Sequence, residues 1–297
     1  MNNPLVTVII PSYNHEQFIS NAIMSVINQT YSNVELIVID DGSKDRSKEI
    51  ISELSKEYDF RFISRENRGL ANTLNEGLEL TSGAYFTTCS SDDFLHPEKI
   101  EKQVNHLLNN NLKVGYTGSY VIDDNNNIMQ QRTRMYNDNL RGGSIFSDLM
   151  TFKFVPPVTF MYETSFFKES VGGYDPDIIA EDFDITVSLS RITDIGYIKD
   201  YLYSYRSPLA VGSARERNVA KVEVSESHLK TINKYKESDI FKDALLVWNF
   251  RRFIMFSGYS KTKLYAIRGA FFSRRKINTF LYLKALVRLV VFWKKYE

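Results

Sequence analysis

Over its first hundred or so residues the chain alternates β-branched apolar runs with segments of helical period, and this alternation restricts the fold more than any other feature. The run "LVTVII" (Leu5 to Ile10) is expected to end at Pro11. It is followed by "EQFISNAIMSVINQ", in which Phe18, Ala22 and Val26 recur at helical spacing beside Ile19, Ile23 and Ile27. "VELIVID" (Val34 to Asp40), "FRFISRE" (Phe60 to Glu66) and "GAYFTT" (Gly83 to Thr88) read as further strands. "SKDRSKEIISELSKE", "LANTLNEGLEL" and "PEKIEKQVNHLLNN" read as the helices between and after them. Strands separated by helices of that length predict an α/β fold with a mixed, mostly parallel sheet flanked by helices. A chain of 297 residues, 43% of them hydrophobic, has the material for a substantial core beneath such a sheet.

Sheets of this kind bind ligands at the carboxyl ends of their strands, near a switch in strand order. That rule singles out "PSYNHE" after the first strand, "DDGSKD" after the second and "CSSDD" after the fourth. Polar loops follow strands in any such fold, so it is the three together that mark a rim. A carboxylate only accepts hydrogen bonds, so Asp40 and Asp41 suit sugar hydroxyls or a ring N–H; turn formation and helix capping compete. Neither loop contains G-x-G-x-x-G, which makes a nicotinamide cofactor a weak reading. Tyr13 suits stacking on a base or ordinary packing. Adjacent acids such as Asp92 and Asp93 suit Mg²⁺ or Mn²⁺, hard ions that often share oxygen with a substrate phosphate. A helix cap before Pro97-Glu98 is the plainer alternative.

Glu181-Asp182 opens a later apolar-periodic segment, "AEDFDITVSLS", after the turn "VGGYDPD". A carboxylate at a helix start sits in a field that lowers its pKa, and an ionised Asp there can still act as base toward a sugar hydroxyl; capping competes. Arg206, in "SYRSP", lies either against phosphates or on the surface. His15, His96, His106 and His228 show no ligand-like spacing, so zinc is not expected, and there is no G-x-S-x-G nucleophile. Cys89, the single cysteine, excludes an intrachain disulfide and reads as a small buried side chain.

The polar stretch Asp123 to Gly143 reads as a hairpin turn plus a mobile loop, and "YIKDYLYSYRS" as a strand pair. From Arg215 the chain reads as helix, broken near Ser257-Gly258 and again near Ser273. A net charge of +1 predicts no long-range attraction to nucleic acid, yet from Arg251 onward there are twelve Lys and Arg and only one acid, Glu297. Drawn as a helix, the tail puts Lys284, Arg288 and Lys295 near one face and Leu283, Leu286, Val290 and Trp293 on another. A basic amphipathic helix suits an anionic membrane surface; packing on the rest of the chain, or on a second subunit in a homodimer, is the alternative. No run reaches about eighteen apolar residues, and the N-terminus is a poor secretory signal, so a cytoplasmic chain peripheral to the inner face of the membrane is expected.

The stretches "VTVIIPSYNHEQFISNAIMSVINQTYSNVELIVIDDGSKDRS", "ENRGLANTLNEGLELTSGAYFTTCSSDDFLHPEKIEKQV" and "VGGYDPDIIAEDFDITVSL" resemble the inverting nucleotide-sugar glycosyltransferases of family 2, over about Val6 to Ser207. The resemblance implies a Rossmann-like GT-A catalytic domain at 1–212, with a nucleotide-sugar half at 1–120 and an acceptor half at 121–212, then a helical basic region at 213–297. It implies that Tyr13 stacks on the base, that Asp41 contacts it, and that Asp40, Arg68, Pro11 and Ser91 shape the same pocket. Asp92 and Asp93 would hold the ribose and, through Mn²⁺ or Mg²⁺, the diphosphate. Asp182, supported by Glu181, would deprotonate the acceptor. The implied reaction moves a hexosyl or N-acetylhexosaminyl group from a UDP-sugar to a saccharide, of the kind carried on a lipid, in capsule, O-antigen or lipooligosaccharide synthesis.

The chain departs from that pattern twice. Ser90 stands where the family usually has the first acid of Asp-x-Asp-Asp, and Tyr205-Arg206-Ser207-Pro208 lacks the histidine that follows Tyr-Arg in many members. Leaving-group stabilisation then falls to the metal and Arg206, or to Arg215 or Arg217. Two other readings stay open. One is an inactive relative that binds sugar or partners. The other is a nucleotidyltransferase, which would want a glycine-rich, basic loop that "PSYNHEQF" does not supply.

Overall fold

The computed structural model describes residues 3–207, 222–273 and 278–290. Their contacts divide into two units. The first holds the described residues up to 145, 155–177 and 188–207; the second holds 146–154, 178–187 and those from 222 on.

The first unit is built on an eight-stranded sheet. Strands β1 (Val6–Ser12), β2 (Val34–Asp40), β3 (Arg61–Ser64) and β4 (Tyr85–Thr88) run parallel in the order β3-β2-β1-β4. The chain therefore starts mid-sheet, winds outward to β3 and returns across β1 to β4, which places the switch in strand order between β1 and β4. Beyond β4, the strands β7 (Met161–Glu163), β6 (Val114–Ile122), β8 (Gly196–Arg206) and β5 (Phe94–Leu95) follow, with β6 and β8 parallel to each other and the other pairings antiparallel. The expected mixed, mostly parallel sheet is present.

Helices α1 (Ile19–Ile27), α2 (Ser47–Glu57), α3 (Leu70–Leu80) and α4 (Lys99–Asn109) cover it. Helix α1 buries Ile19, Ala22, Ile23 and Val26, the single stripe its spacing predicts, in one cluster with Val6, Val8, Ile10, Leu36 and Val38. Ile9, Ile37 and Ile39, on the opposite face of the strands, are also fully buried. Helix α3 comes so close that a Cβ at Gly77 would stand 2.5 Å from Ile9 Cγ2. Burial on both faces is why β1 and β2 read as continuous apolar runs.

Several details differ from the sequence reading. Strand β1 continues through Pro11 to Ser12. Ile9 O accepts from Cys89 N–H on the β4 side, and residue 11 repeats the Ile9 orientation. Pairing with β4 stops at Ile9, so the amide that proline lacks has no ladder partner to lose. In the stretch Asp123 to Gly143 the turn is present, with Asp123 Oδ1 accepting from the amides of Asn125 (2.9 Å) and Asn127 (2.8 Å). The rest includes a helix, α5 (Gln130–Tyr136), whose single buried residue, Thr133, leaves no apolar stripe to read. The tyrosine-rich run is one long strand, β8, whose register against β6 shifts near Thr117–Tyr120 and so disturbs strict alternation.

The second unit contains α6 (Phe146–Met150), the first part of α8 (Glu181–Ser190), and α9 (Val222–Asn233), α10 (Phe241–Phe256), α11 (Lys263–Ser273) and α12 (Thr279–Val290). Phe253, Phe256, Ala266, Ala285 and Leu289 form a core of its own. The expected boundary at 212 lies outside the described residues. Residues 146–154 and 178–187, Glu181 and Asp182 among them, group by contacts with the second unit. The break between α9 and α10 was not legible in the sequence, whereas the one after α10, at Ser257-Gly258, was.

Lys99, at the start of α4, is fully buried. Its Nζ donates to Thr87 Oγ1 (3.0 Å) and Gln103 Oε1 (2.6 Å), and burial lowers its pKa from 10.5 to about 7. The folded protein therefore releases this proton near pH 7, while the unfolded chain keeps it to about pH 10.4. The cost of the buried charge is full below pH 7 and vanishes as pH approaches 10.5. Lys99→Met is expected to raise the stability measured by denaturant unfolding at pH 6, by at most roughly 4–5 kcal/mol, and to lose that gain by pH 10.

Candidate functional site

The loops at the carboxyl ends of β1 and β2 are fastened to each other. After β1, Asn14 takes a left-handed φ of 55°. Its N–H donates to Ser43 Oγ (2.9 Å), and its Oδ1 accepts from Lys44 N–H (2.8 Å). His15 N–H donates to Ser47 Oγ (2.9 Å), Glu16 N–H to Asp45 Oδ2 (3.0 Å), and Arg46 N–H to Glu16 Oε2 (2.9 Å). Short polar side chains that bond to nearby backbone are what lock such turns. Gly42, at φ 76°, allows the loop after β3 to close in, since a Cβ there would lie 2.7 Å from Asn67 N. Tyr13 stands at this rim with 43% of its surface exposed, and Pro11 is half-buried beneath.

Asp41 is buried, and it accepts from Arg68 N–H (2.8 Å), Gly69 N–H (3.0 Å) and the Arg65 guanidinium. Arg65 also reaches Glu76 (2.6 Å) and Thr73 Oγ1 (2.9 Å), so one cation joins β3 to α3 across the acid. Arg68 meets Asp41 through its backbone, and its side chain is exposed. Asp40 Oδ2 accepts from Ser43 N–H (3.2 Å) and the Ser64 hydroxyl (3.4 Å). Asp40 Oδ1 and the Oγ of Ser12, its partner in the β1–β2 register, are buried without a hydrogen-bond partner in the protein. Buried polar atoms left in this way call for a ligand or a water.

The loop after β4 is held from β8. Tyr203 OH donates to Asp93 Oδ2 (2.8 Å) and accepts from Ser90 N–H (3.2 Å), while Arg206 N–H donates to Asp93 Oδ1 (2.7 Å). The buried Arg206 guanidinium bonds to Asp92 O (2.7 Å), Asp123 O (2.6 Å) and Asn126 Oδ1 (2.6 Å), and lies 4.2 Å over the Phe18 ring. The reading of Arg206 as a surface group therefore needs correction, since the side chain is buried. Its donors are engaged in the loop itself, which makes it a clamp. Asp93, expected as a metal ligand, accepts one of these hydrogen bonds at each of its two oxygens.

Asp92 is buried in the same loop. Next to it, His15 Nδ1 lies 2.7 Å from Ser91 Oγ and His15 Nε2 lies 3.9 Å from Asp92 Oδ2, which links the β1 loop to the β4 loop. No cluster of three or more His, Cys, Asp or Glu suited to a metal occurs among the described residues. The donor set therefore fits an ion held by one carboxylate and completed by phosphate oxygens and water, as Mg²⁺ commonly is, and does not fit a cage made by protein alone.

Glu181 and Asp182 open α8 in the second unit. Asp182 is half-buried; its Oδ1 accepts from Phe183 N–H (2.7 Å), and burial raises its pKa above the ordinary Asp value. The lowering expected from the helix field is thus outweighed by desolvation. The start of α8 is anchored by neighbours. Phe183 stacks on Phe152 (5.0 Å between centroids) and meets His228 edge-on, Ala180 N–H donates to Ser227 Oγ (3.0 Å), and Asp184 pairs with Lys234 (2.8 Å). Arg215 and Arg217 lie outside the described residues.

Arg65 and His15 were missed in the sequence. Arg65 had a signal, a basic residue at the end of the third strand beside a loop with two acids. His15 had none beyond its place after "PSYN", because Ser91 and Asp92, which its ring meets, lie 76 and more residues away. Tyr203→Phe should free Asp93 Oδ2 and Ser90 N–H, and is expected to cost about 2 kcal/mol in chemical denaturation, the value of a buried hydrogen bond to a charged group.

The model of "Glycosyl transferase family 2" matches residues 7–171. An uncharacterized glycosyltransferase of Haemophilus influenzae is 44% identical over 126 residues, 42% of this chain and 50% of that protein. The Escherichia coli UDP-Glc:alpha-D-GlcNAc-diphosphoundecaprenol beta-1,3-glucosyltransferase WfgD is 38% identical over 129 residues, 43% of this chain and 51% of that one. The aligned part is thus about half the length of these relatives. Among solved structures, Staphylococcus aureus TarS 1–349 in complex with UDP-GlcNAc superposes with a TM-score of 0.64 at 16% identity, over 96% of this chain and 80% of that one, a likeness of fold. The matched span covers more than half of the chain and takes in the loops after β1, β2 and β4, and on that match the chain belongs to glycosyltransferase family 2.

Proposed function

We propose that the chain transfers a hexosyl or N-acetylhexosaminyl group from a UDP-sugar to a hydroxyl of a lipid-borne saccharide, with inversion at the anomeric carbon, in building a cell-surface polysaccharide. The observation that supports this reading is the rim of the first unit, where the loops after β1, β2 and β4 meet and His15 of the β1 loop lies against Ser91 and Asp92 of the β4 loop. The name of the E. coli relative supports a UDP-linked donor and a diphospholipid acceptor. On this reading the acceptor is met at the cytoplasmic face of the membrane.

In this mechanism Tyr13 stacks on the base, and the pocket of Pro11, Asp40, Asp41, Arg68 and Ser91 holds the nucleoside. Asp40 Oδ1 and Ser12 Oγ offer unmet hydrogen-bonding capacity next to it. Asp92 holds the ribose–diphosphate end. A divalent ion, Mn²⁺ or Mg²⁺, when bound through Asp92 would neutralise charge on the departing diphosphate. Asp182 takes the proton of the acceptor hydroxyl as the oxygen attacks the anomeric carbon from the side opposite the nucleotide, and Glu181 supports it. The C–O bond to UDP breaks as the new C–O bond forms, UDP leaves with the bonding pair, and no covalent enzyme intermediate is involved. Burial of Asp182 strengthens it as a base, since a higher pKa favours proton uptake late in the reaction. Ser90, where an acid is usual, contributes its backbone to the β4 turn, so the loop keeps its geometry without that charge.

UDP release from a panel of UDP-sugars, with and without Mn²⁺, tests the reading. Asp182→Asn is expected to lower turnover by about 10²–10⁴-fold with little change in UDP affinity, as loss of a general base does. Asp92→Asn is expected to remove the response to added Mn²⁺. The acid limb of the pH–rate profile is expected above the ordinary Asp range, in the direction of the raised Asp182 pKa. Wild-type turnover in both variants, or UDP binding with no turnover of any donor, would reject the transferase assignment.

A further inference from the structure

Helices α11 and α12 each carry two apolar stripes, where a helix packed against one core needs only one. On α12, Tyr282, Ala285 and Leu289 turn toward the core that holds Phe253 and Phe256, with the Tyr282 ring 4.9 Å from that of Phe253. A second set, Phe280, Leu283 and Val287, recurs at the same three- and four-residue spacing but lies in solvent, with Phe280 72% and Leu283 54% exposed. Helix α11 repeats the arrangement. Ala266 and Ser273 are buried, and a Cβ at Gly269 would stand 2.6 Å from Asn249 O, so this side is pressed against α10. Leu264, Ile267 and Phe271, again three and four residues apart, face outward, with Leu264 77% and Phe271 68% exposed. Single exposed apolar residues are ordinary, but two stripes of large ones on consecutive helices are not.

Charge decides what covers them. Arg268, Lys284 and Arg288 are exposed and form no ion pair among the described residues. From Ala244 to Tyr296 the sequence has twelve Lys and Arg and no Asp or Glu. A second copy of this chain would bring an equally basic face, and like charges oppose that pairing. An anionic lipid surface supplies hydrocarbon for the stripes and opposite charge for their flanks.

We propose that the outward face of α11 and α12 is a docking surface for an anionic lipid bilayer, with Phe271, Phe280 and Leu283 entering the interface and Arg268, Lys284 and Arg288 at headgroup level. It rests on the transferase reading for the lipid-borne acceptor that would be met there, but not for the docking itself. Among the described residues no helix is long and apolar enough to cross a membrane, so the contact is one of lying on the surface.

The test is sedimentation of the full chain with phosphatidylcholine vesicles, with and without phosphatidylglycerol. Binding is expected with the anionic vesicles only, and weaker at high salt. Each basic group near such a surface contributes roughly fivefold in affinity, so the triple reversal Arg268→Glu, Lys284→Glu, Arg288→Glu should lose about 100-fold or more. The apolar variant Phe280→Asp, Leu283→Asp should lose at least about tenfold, since two large side chains leave the interface. Both variants should keep the wild-type circular dichroism and UDP release in vesicle-free solution. Equal pelleting of wild type with neutral and anionic vesicles, or undiminished pelleting of both variants, would overturn the proposal. So would a vesicle-free dimer that the apolar variant abolishes. Vesicle binding without UDP release would instead reject the transferase reading and leave the docking surface standing.

Discussion

The carboxylate of Asp93 ties together two stretches of chain 110 and more residues apart, and the rim of the first unit depends on that tie. Two neighbouring acids repel unless they are separated or neutralised. Here they are separated by direction. Asp93 is held by the Tyr203 hydroxyl and the Arg206 amide, which replace the water it lost, and Asp92 lies beside the His15 ring. The Arg206 guanidinium completes the arrangement from below, between the Phe18 ring and the backbone carbonyls of Asp92 and Asp123. A full buried charge is expensive unless it is hydrogen-bonded, and each guanidinium nitrogen of Arg206 donates to a backbone oxygen or an Asn side chain.

The same tie accounts for Ser90. The turn from Ser90 to Asp93 is closed by Asp93 N–H donating to Ser90 O (3.1 Å) and by Ser90 N–H donating to Tyr203. None of these bonds uses the side chain at position 90. Loss of an acid there alters what the loop presents but leaves how it is held untouched. A comparable division runs through the β2 loop, where Asp41 is surrounded by donors from α3 and Arg65, while Asp40 retains an oxygen with no protein partner.

Much of the sheet was legible because burial on both faces writes itself into sequence as unbroken apolar runs, and α1 to α4 because each has one stripe. Helix α5 was not, because only Thr133 faces inward, and a helix with so little to bury has no period to detect. Pro11 misled because the strand rule ignores which side of the ladder a missing amide would face. The three rim loops were found from strand ends alone, yet the bonds that hold Asp93 and Arg206 were not, since their partners lie on β8 or in the 123–126 turn. The pKa of Asp182 was read from its helix position, and burial, which no local pattern reveals, moved it the other way. Long-range partners are what a single sequence hides. The grouping of 178–187 with helices that begin more than thirty residues later is an instance.

The cross-bonds between the β1 and β2 loops, from Asn14 to Ser43 and Lys44 and from Glu16 to Asp45 and Arg46, bear on how quickly a small molecule is captured there. Segments already fixed in place lose little conformational freedom when a visitor arrives. As far as these two loops are concerned, capture is then governed by diffusional encounter and the dwell time by contacts formed afterwards.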